Sequence, residues 1–163
     1  MKKTHYNLKL KRRKKGITDY KKRLKLLLSG KPRLVVRKSL KNINVQIIGY
    51  VPKGDKVLAV AHSSQLKKLG WNAGTGNLPS AYLTGLLVGQ KAKKQGIKDA
   101  VLDIGLNVPT KGGRLYAALR GVIDAGINVP HSKDVLPSDD RVKGAHIKGI
   151  TGFDDVKRKV SEA

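Results

Sequence analysis

Four aspartates, Asp55, Asp99, Asp103 and Asp124, are the carboxylates whose placement could do chemistry. Converged in space, they would hold Mg²⁺ and cleave phosphodiesters. Asp103 falls in the apolar run Ala100-Val101-Leu102-Asp103-Ile104-Gly105, which reads as a strand, whereas Asp99 and Asp124 read as helix-boundary or surface residues. The histidines, His5, His62, His131 and His146, have no partner at metal-ligand spacing, and no HExxH pattern occurs. Ser63 beside His62 and Ser132 beside His131 carry no triad logic, because a triad is assembled in space. The chain has no Cys, which excludes disulfides, thiolate zinc sites and a Cys nucleophile. Gly74-Thr75-Gly76-Asn77-Leu78-Pro79 carries half of a dinucleotide fingerprint and lacks its third Gly. A tight turn into a helix accounts for it better, with free N–H groups that could meet a phosphate. No metal and no cofactor is therefore expected.

The chemistry left standing is electrostatic. The first 41 positions hold 17 of the 35 Lys and Arg residues against one acid, Asp19, and carry +16 of the formal +24. Such asymmetry opposes compaction unless an anion neutralises it. A polyphosphate suits it, because each neutralised phosphate releases a condensed counterion. Tyr6 and Tyr20, interleaved with Lys and Arg, are the candidates for base stacking. With seven aromatics in all, no strand carries the aromatic cluster of an RRM. Backbone and shape recognition of folded RNA remains. No apolar run approaches the ~20 residues that span a bilayer, and no apolar h-region follows the basic N-terminus, so neither a membrane span nor a secretory signal is expected. A membrane-surface helix at 18–29 has a similar pattern and is the third reading.

The elements that must position these residues follow from periodicity and punctuation. Lys11-Arg12-Arg13-Lys14-Lys15 should be extended or mobile without a partner, and Gly16 ends it. Residues 18–29 predict a short helix capped by Thr18, with Ile17, Tyr20, Leu24, Leu27 and Leu28 as its packed stripe. Residues 33–38 and 43–50 predict a hairpin whose register pairs Arg37 with Asn44, Val36 with Val45 and Leu34 with Ile47. That register puts Leu34, Val36, Ile43, Val45 and Ile47 in the core, and Arg33, Arg37, Asn44 and Gln46 on the other face. An ordinary solvated face and an RNA surface continuous with the arm both fit it.

Further on, Val51-Pro52-Lys53-Gly54 has turn chemistry, and residues 56–61 read as a third strand. Ser63 or Ser64 is expected to cap a helical turn ending at Gly70. A helix is expected with Asn77 or Leu78 in the cap region, Pro79 in its first turn and Gly85 and Gly89 marking close packing on the sheet. The strand at 100–105, a helix at 114–125 and a short strand at 127–129 suggest a parallel crossover. Beyond His131 the pattern fades, with a short helical turn near Val156-Lys157-Arg158-Lys159. The class is α/β, a mixed sheet covered by helices. The divisions are a basic arm and helix at 1–29, a mixed α/β domain at 30–131 and a C-terminal extension at 132–163.

Several segments together carry a family resemblance. They are Tyr20-Lys21-Lys22-Arg23-Leu24, Gly30-Lys31-Pro32-Arg33-Leu34-Val35-Val36-Arg37-Lys38-Ser39, Ala61-His62-Ser63-Ser64, Gly70-Trp71 and Thr75-Gly76-Asn77. Pro79-Ser80-Ala81-Tyr82-Leu83-Thr84-Gly85, Leu102-Asp103-Ile104-Gly105, Asp124-Ala125-Gly126 and Gly144-Ala145-His146-Ile147 complete the set. The chain resembles, over about residues 4–150, the archaeal and eukaryotic large-subunit ribosomal proteins that bind 5S rRNA, and its pattern is archaeal in type. The resemblance implies a three-layer mixed-sheet α/β fold with a basic N-terminal arm, and no enzymatic activity. It implies a place in the cytoplasmic ribosome, on 5S rRNA in the central protuberance, beside the large-subunit rRNA and the other 5S-binding ribosomal protein. The family's basic arm and hairpin fall here on Arg12, Arg13, Lys14, Lys15, Lys21, Lys22, Arg23, Lys31, Arg33, Arg37 and Lys38. An RNA-processing nuclease of related fold, built on Asp103, is the competing class.

Overall fold

A computed structural model describes residues 8–147, 149, 150 and 152–162. Tyr6 lies outside the described residues. The elements run α1 (Lys11–Lys14), α2 (Tyr20–Leu27), β1 (Arg33–Lys38), β2 (Ile43–Val51), β3 (Gly54–His62), α3 (Gln65–Lys68), α4 (Leu78–Lys94), β4 (Val101–Asp103), α5 (Arg114–Asp124), α6 (Asp139–Lys143) and α7 (Phe153–Glu162), with a 3-10 turn at Lys133–Val135.

The sheet order is β3-β2-β1-β4. β1, β2 and β3 form an antiparallel meander, and β4 joins β1 in parallel. The hairpin register is the expected one, with Arg37 opposite Asn44, Val36 opposite Val45 and Leu34 opposite Ile47. The inner-face set fixes it, since a slip by one would turn Leu34, Val36, Val45 and Ile47 outward together. Leu34, Val36, Val45 and Ile47 are all at 0% exposure. The β2–β3 loop closes on Pro52-Lys53 between the paired Val51 and Gly54, and Gly54 takes φ +151°, which L side chains rarely adopt. The expected strand at 127–129 reduces to one parallel bridge between Asp99 and Asn128, though Ile127 and Val129 are buried.

Helices α4 and α5 cover the inner face. From Leu78 to Gly89 every residue of α4 is buried, because the helix is apolar or small all round. Asn77 caps it, accepting the Ser80 N–H at 2.9 Å, and Pro79 sits in its first turn. The sheet was the expected partner of Gly85 and Gly89; the structure puts α5 there instead. A Cβ on Gly85 would run into the Ala118 carbonyl, one on Gly89 into the Ala125 methyl, and one on Gly121 into the Tyr82 carbonyl. Glycine on both helices lets the two backbones touch.

The C-terminal segment carries more structure than its faded pattern implies. Helix α7 replaces the expected single turn and buries Phe153, Val156 and Val160 against α4. Its Phe153 ring lies 5.9 Å from the Tyr82 ring, and Lys157 Nζ stands 5.6 Å from that ring's centre. The Tyr82 hydroxyl donates to Asp124 at 2.7 Å. Burial, then that hydrogen bond, push the phenol well above its ordinary pKa and keep it protonated. Val142 and the three α7 residues join the same core as the sheet.

Candidate nucleic-acid interface

The basic run, expected to be extended or mobile without a partner, folds as a helical turn. In α1 the Gly16 N–H bonds to the Arg13 carbonyl and the Ile17 N–H to the Arg12 carbonyl, while Gly16 takes φ +64°. This is a Schellman stop, which needs glycine at the left-handed position. Arg12 Nε also donates to Thr18 Oγ1 at 2.9 Å. Every α1 side chain is exposed, so Arg12, Arg13, Lys14 and the following Lys15 all face solvent.

Helix α2 is capped by Asp19, not Thr18. The Asp19 carboxylate accepts the N–H groups of Lys21 at 3.0 Å and Lys22 at 3.2 Å. The stripe expected to pack is largely outside: Leu24 is 61% and Leu28 79% exposed. The half-buried residues are Tyr20, Arg23, Leu26 and Leu27. The ion pair explains the rotation. Arg23 reaches across to Asp55 on β3, with Nη2 at 3.0 and 2.9 Å from the two carboxylate oxygens. That bond sets the face of α2 turned to the sheet and leaves Lys21 and Lys22 exposed.

The outer face of the sheet holds an ionic chain. Arg33 is only 4% exposed. Its guanidinium donates to Asp103 at 2.9 Å and Asp55 at 2.8 Å. Arg37 completes the chain, donating to the Asp103 carboxylate at 3.0 Å and its carbonyl at 2.7 Å. The sequence order is Arg23, Arg33, Arg37, Asp55, Asp103; in space the carboxylates alternate between the arginines. Of the candidate residues, Arg33 is therefore enclosed and Arg23 and Arg37 are partly committed. Lys31 pairs with Asp99 at 3.3 Å in solvent. An Asn128 hydrogen bond, then Lys31, hold the Asp99 carboxyl below its usual range. Lys38 is exposed, and Asn44 and Gln46 are half-buried on the outer face.

The four aspartates do not converge. Asp55 and Asp103 hold arginines, Asp99 holds Lys31 and Asn128, and Asp124 holds Tyr82. Among the described residues no group of three His, Cys, Asp or Glu side chains could hold a metal. Sequence reasoning missed that Asp55 and Asp103 position the arginines; spacing alone gives no sign of it. The Gly-rich loop is also explained. Thr75 Oγ1 donates to the Lys41 carbonyl at 2.8 Å, and a Cβ on Gly76 would stand 2.8 Å from the Leu40 carbonyl. Arg114 donates to the Gly76 carbonyl at 2.8 Å. The loop thus grips the β1–β2 turn. Nearby, neither Ser63 nor Ser64 caps α3: the Ser63 hydroxyl accepts the Ile43 N–H instead, at 3.0 Å.

A basic helix is thus tied to a mixed sheet, with no metal-holding cluster among the described residues. The family described as "Ribosomal large subunit proteins 60S L5, and 50S L18" matches residues 4–99 and 90–132. The large ribosomal subunit protein uL18 of Korarchaeum cryptofilum is 56% identical over 142 residues, covering 87% of this chain and 73% of that protein. The uL18 of Haloarcula marismortui is 54% identical over 142 residues, covering 87% of this chain and 76% of that protein.

The chain belongs to this ribosomal family. It is a component of the large ribosomal subunit rather than an enzyme, and rRNA and ribosomal proteins are its surroundings. The family match ends at residue 132, before α6 and α7.

Proposed function

We propose that this member of the family binds 5S rRNA and helps attach it to the central protuberance, beside the other 5S-binding protein and the large rRNA. Recognition runs through phosphates and shape. The observation that carries this reading is the exposure of Arg13, Lys14, Lys15, Lys21, Lys22 and Lys38 with no ion pair to any described residue. Cations held near one another and left unneutralised favour a polyanion. Arg23, Arg33 and Arg37 serve the site differently: Arg23 ties α2 to β3, and Arg33 and Arg37 tie β1 to β3 and β4, which fixes where Lys21, Lys22 and Lys38 stand. Arg37, still half-exposed, also faces the RNA.

Competition binding tests the reading. 5S rRNA should displace an unrelated folded RNA of equal length at physiological salt. Equal affinity for the two would refute 5S specificity. Removing residues 1–16 should weaken 5S binding strongly while the rest of the chain stays folded by circular dichroism. Unchanged affinity would move the interface off the arm.

A further inference from the structure

A cleft of about 830 Å³ lies between α2 and the outer face of the sheet. That volume falls within the range of sites that enclose small organic groups. Leu26 on the α2 side, with Val35, Ile48, Leu102 and Ile104 opposite, gives it apolar walls. Its lining holds six cations against three carboxylates. Two of those carboxylates, Asp55 and Asp103, are already neutralised by Arg23, Arg33 and Arg37. Lys22 and Lys25 have no ion pair to a described residue. Gln46 lines the same space, half-buried, and its amide makes no hydrogen bond to a described residue. The roof is loosely founded. Helix α2 buries no residue, and its side-chain bond to the sheet is the part-exposed Arg23–Asp55 pair.

Apolar walls, an idle amide and a cationic rim match the face of a base, its edge and a phosphate. Unstacked bases are held between aromatic or apolar side chains or on guanidinium planes, with hydrogen bonds to the base edge; here the walls are aliphatic, and Arg33 and Arg37 line the same cleft. An apolar peptide would use the walls and leave the surplus positive charge unanswered. We infer that the cleft receives an unstacked nucleotide of the bound RNA, its base between Leu26 and the sheet, its edge on Gln46 and its phosphate on Lys22 and Lys25. This rests on the RNA-binding reading above and adds a base-contacting site to it.

The test uses the full chain and a 5S rRNA transcript. Gln46→Leu removes the amide and no phosphate contact. It should weaken binding about fivefold with thermal stability and the salt slope unchanged. Leu26→Trp, which fills the cleft from the roof, should weaken binding at least as much. Ultraviolet crosslinking of the wild-type complex should give nucleotide adducts on the peptides holding Gln46 or residues 102–107. The adducts decide where the variants and the crosslinks disagree. Adducts confined to the arm and the outer side of α2 would overturn the cleft site. So would a cleft crosslinked to a protein neighbour in assembled subunits, with both variants binding RNA normally. A transcript that fails to bind at all, or binds with a flat salt dependence, would instead strike the 5S reading itself.

Discussion

The two faces of one sheet do opposite work. Leu34, Val36, Val45 and Ile47 point inward and are wholly buried under α4 and α5. Their outward neighbours Arg33, Val35, Arg37, Gln46 and Ile48 line a cleft beneath α2. The inner face excludes water by apolar contact. The outer face is partly dry as well, yet its order comes from an ionic chain of three arginines and two aspartates. Burial alone therefore does not separate scaffold from interface. What separates them is whether a charged group is already answered within the protein.

The comparison breaks most sharply at Arg33. Arg33→Ala leaves Asp103 buried and half-answered, and should cost about 4 kcal/mol of stability in chemical denaturation. Arg33→Met with Asp103→Leu should recover most of that loss, because Asp55 keeps Arg23. A double variant as unstable as the sum of the singles would contradict the paired-charge account. On the inner face Leu34→Ala should cost about 3 kcal/mol through its cavity. A much smaller loss would mean that the helices close over the gap.

Smaller effects separate the tether from the contacts. Arg23→Ala should lower stability by about 1 kcal/mol or less, since the Arg23–Asp55 pair is part-exposed and Asp55 keeps Arg33. It should also raise hydrogen exchange in α2 selectively; uniform protection would show that α2 is held by something else. Lys22→Ala should leave the unfolding midpoint in place and lower the log–log salt slope of RNA binding by roughly 0.7–0.9. An unchanged slope would remove Lys22 from the phosphate contacts.

Legibility in the sequence followed the same division. The hairpin was readable residue by residue, because alternation at Leu34, Val36, Val45 and Ile47 permits one register. The α4 cap was readable to within a residue, at Asn77 or Leu78, and Gly16 as a break, but not the helical turn that Gly16 closes. The face of α2 was not, since its rotation depends on Arg23 meeting Asp55 across 32 positions of chain. Gly85 and Gly89 announced a close approach but not its partner, which Ala118, Gly121 and Ala125 supply from a distant helix. Helix α7 escaped because three apolar residues, Phe153, Val156 and Val160, make too sparse a stripe to stand out in a charged segment. The cluster of cations was plain in the sequence. Which of them are spent on aspartates became visible only in space.

The salt dependence of 5S rRNA binding by the full chain tests the central claim most directly. Seven free cations, Lys25 and the six named above, each meeting a phosphate, predict a log–log slope of about 5 to 6. A slope below about 1 would contradict the account, because the unanswered charge of α1 and α2 would then not be neutralising RNA phosphates.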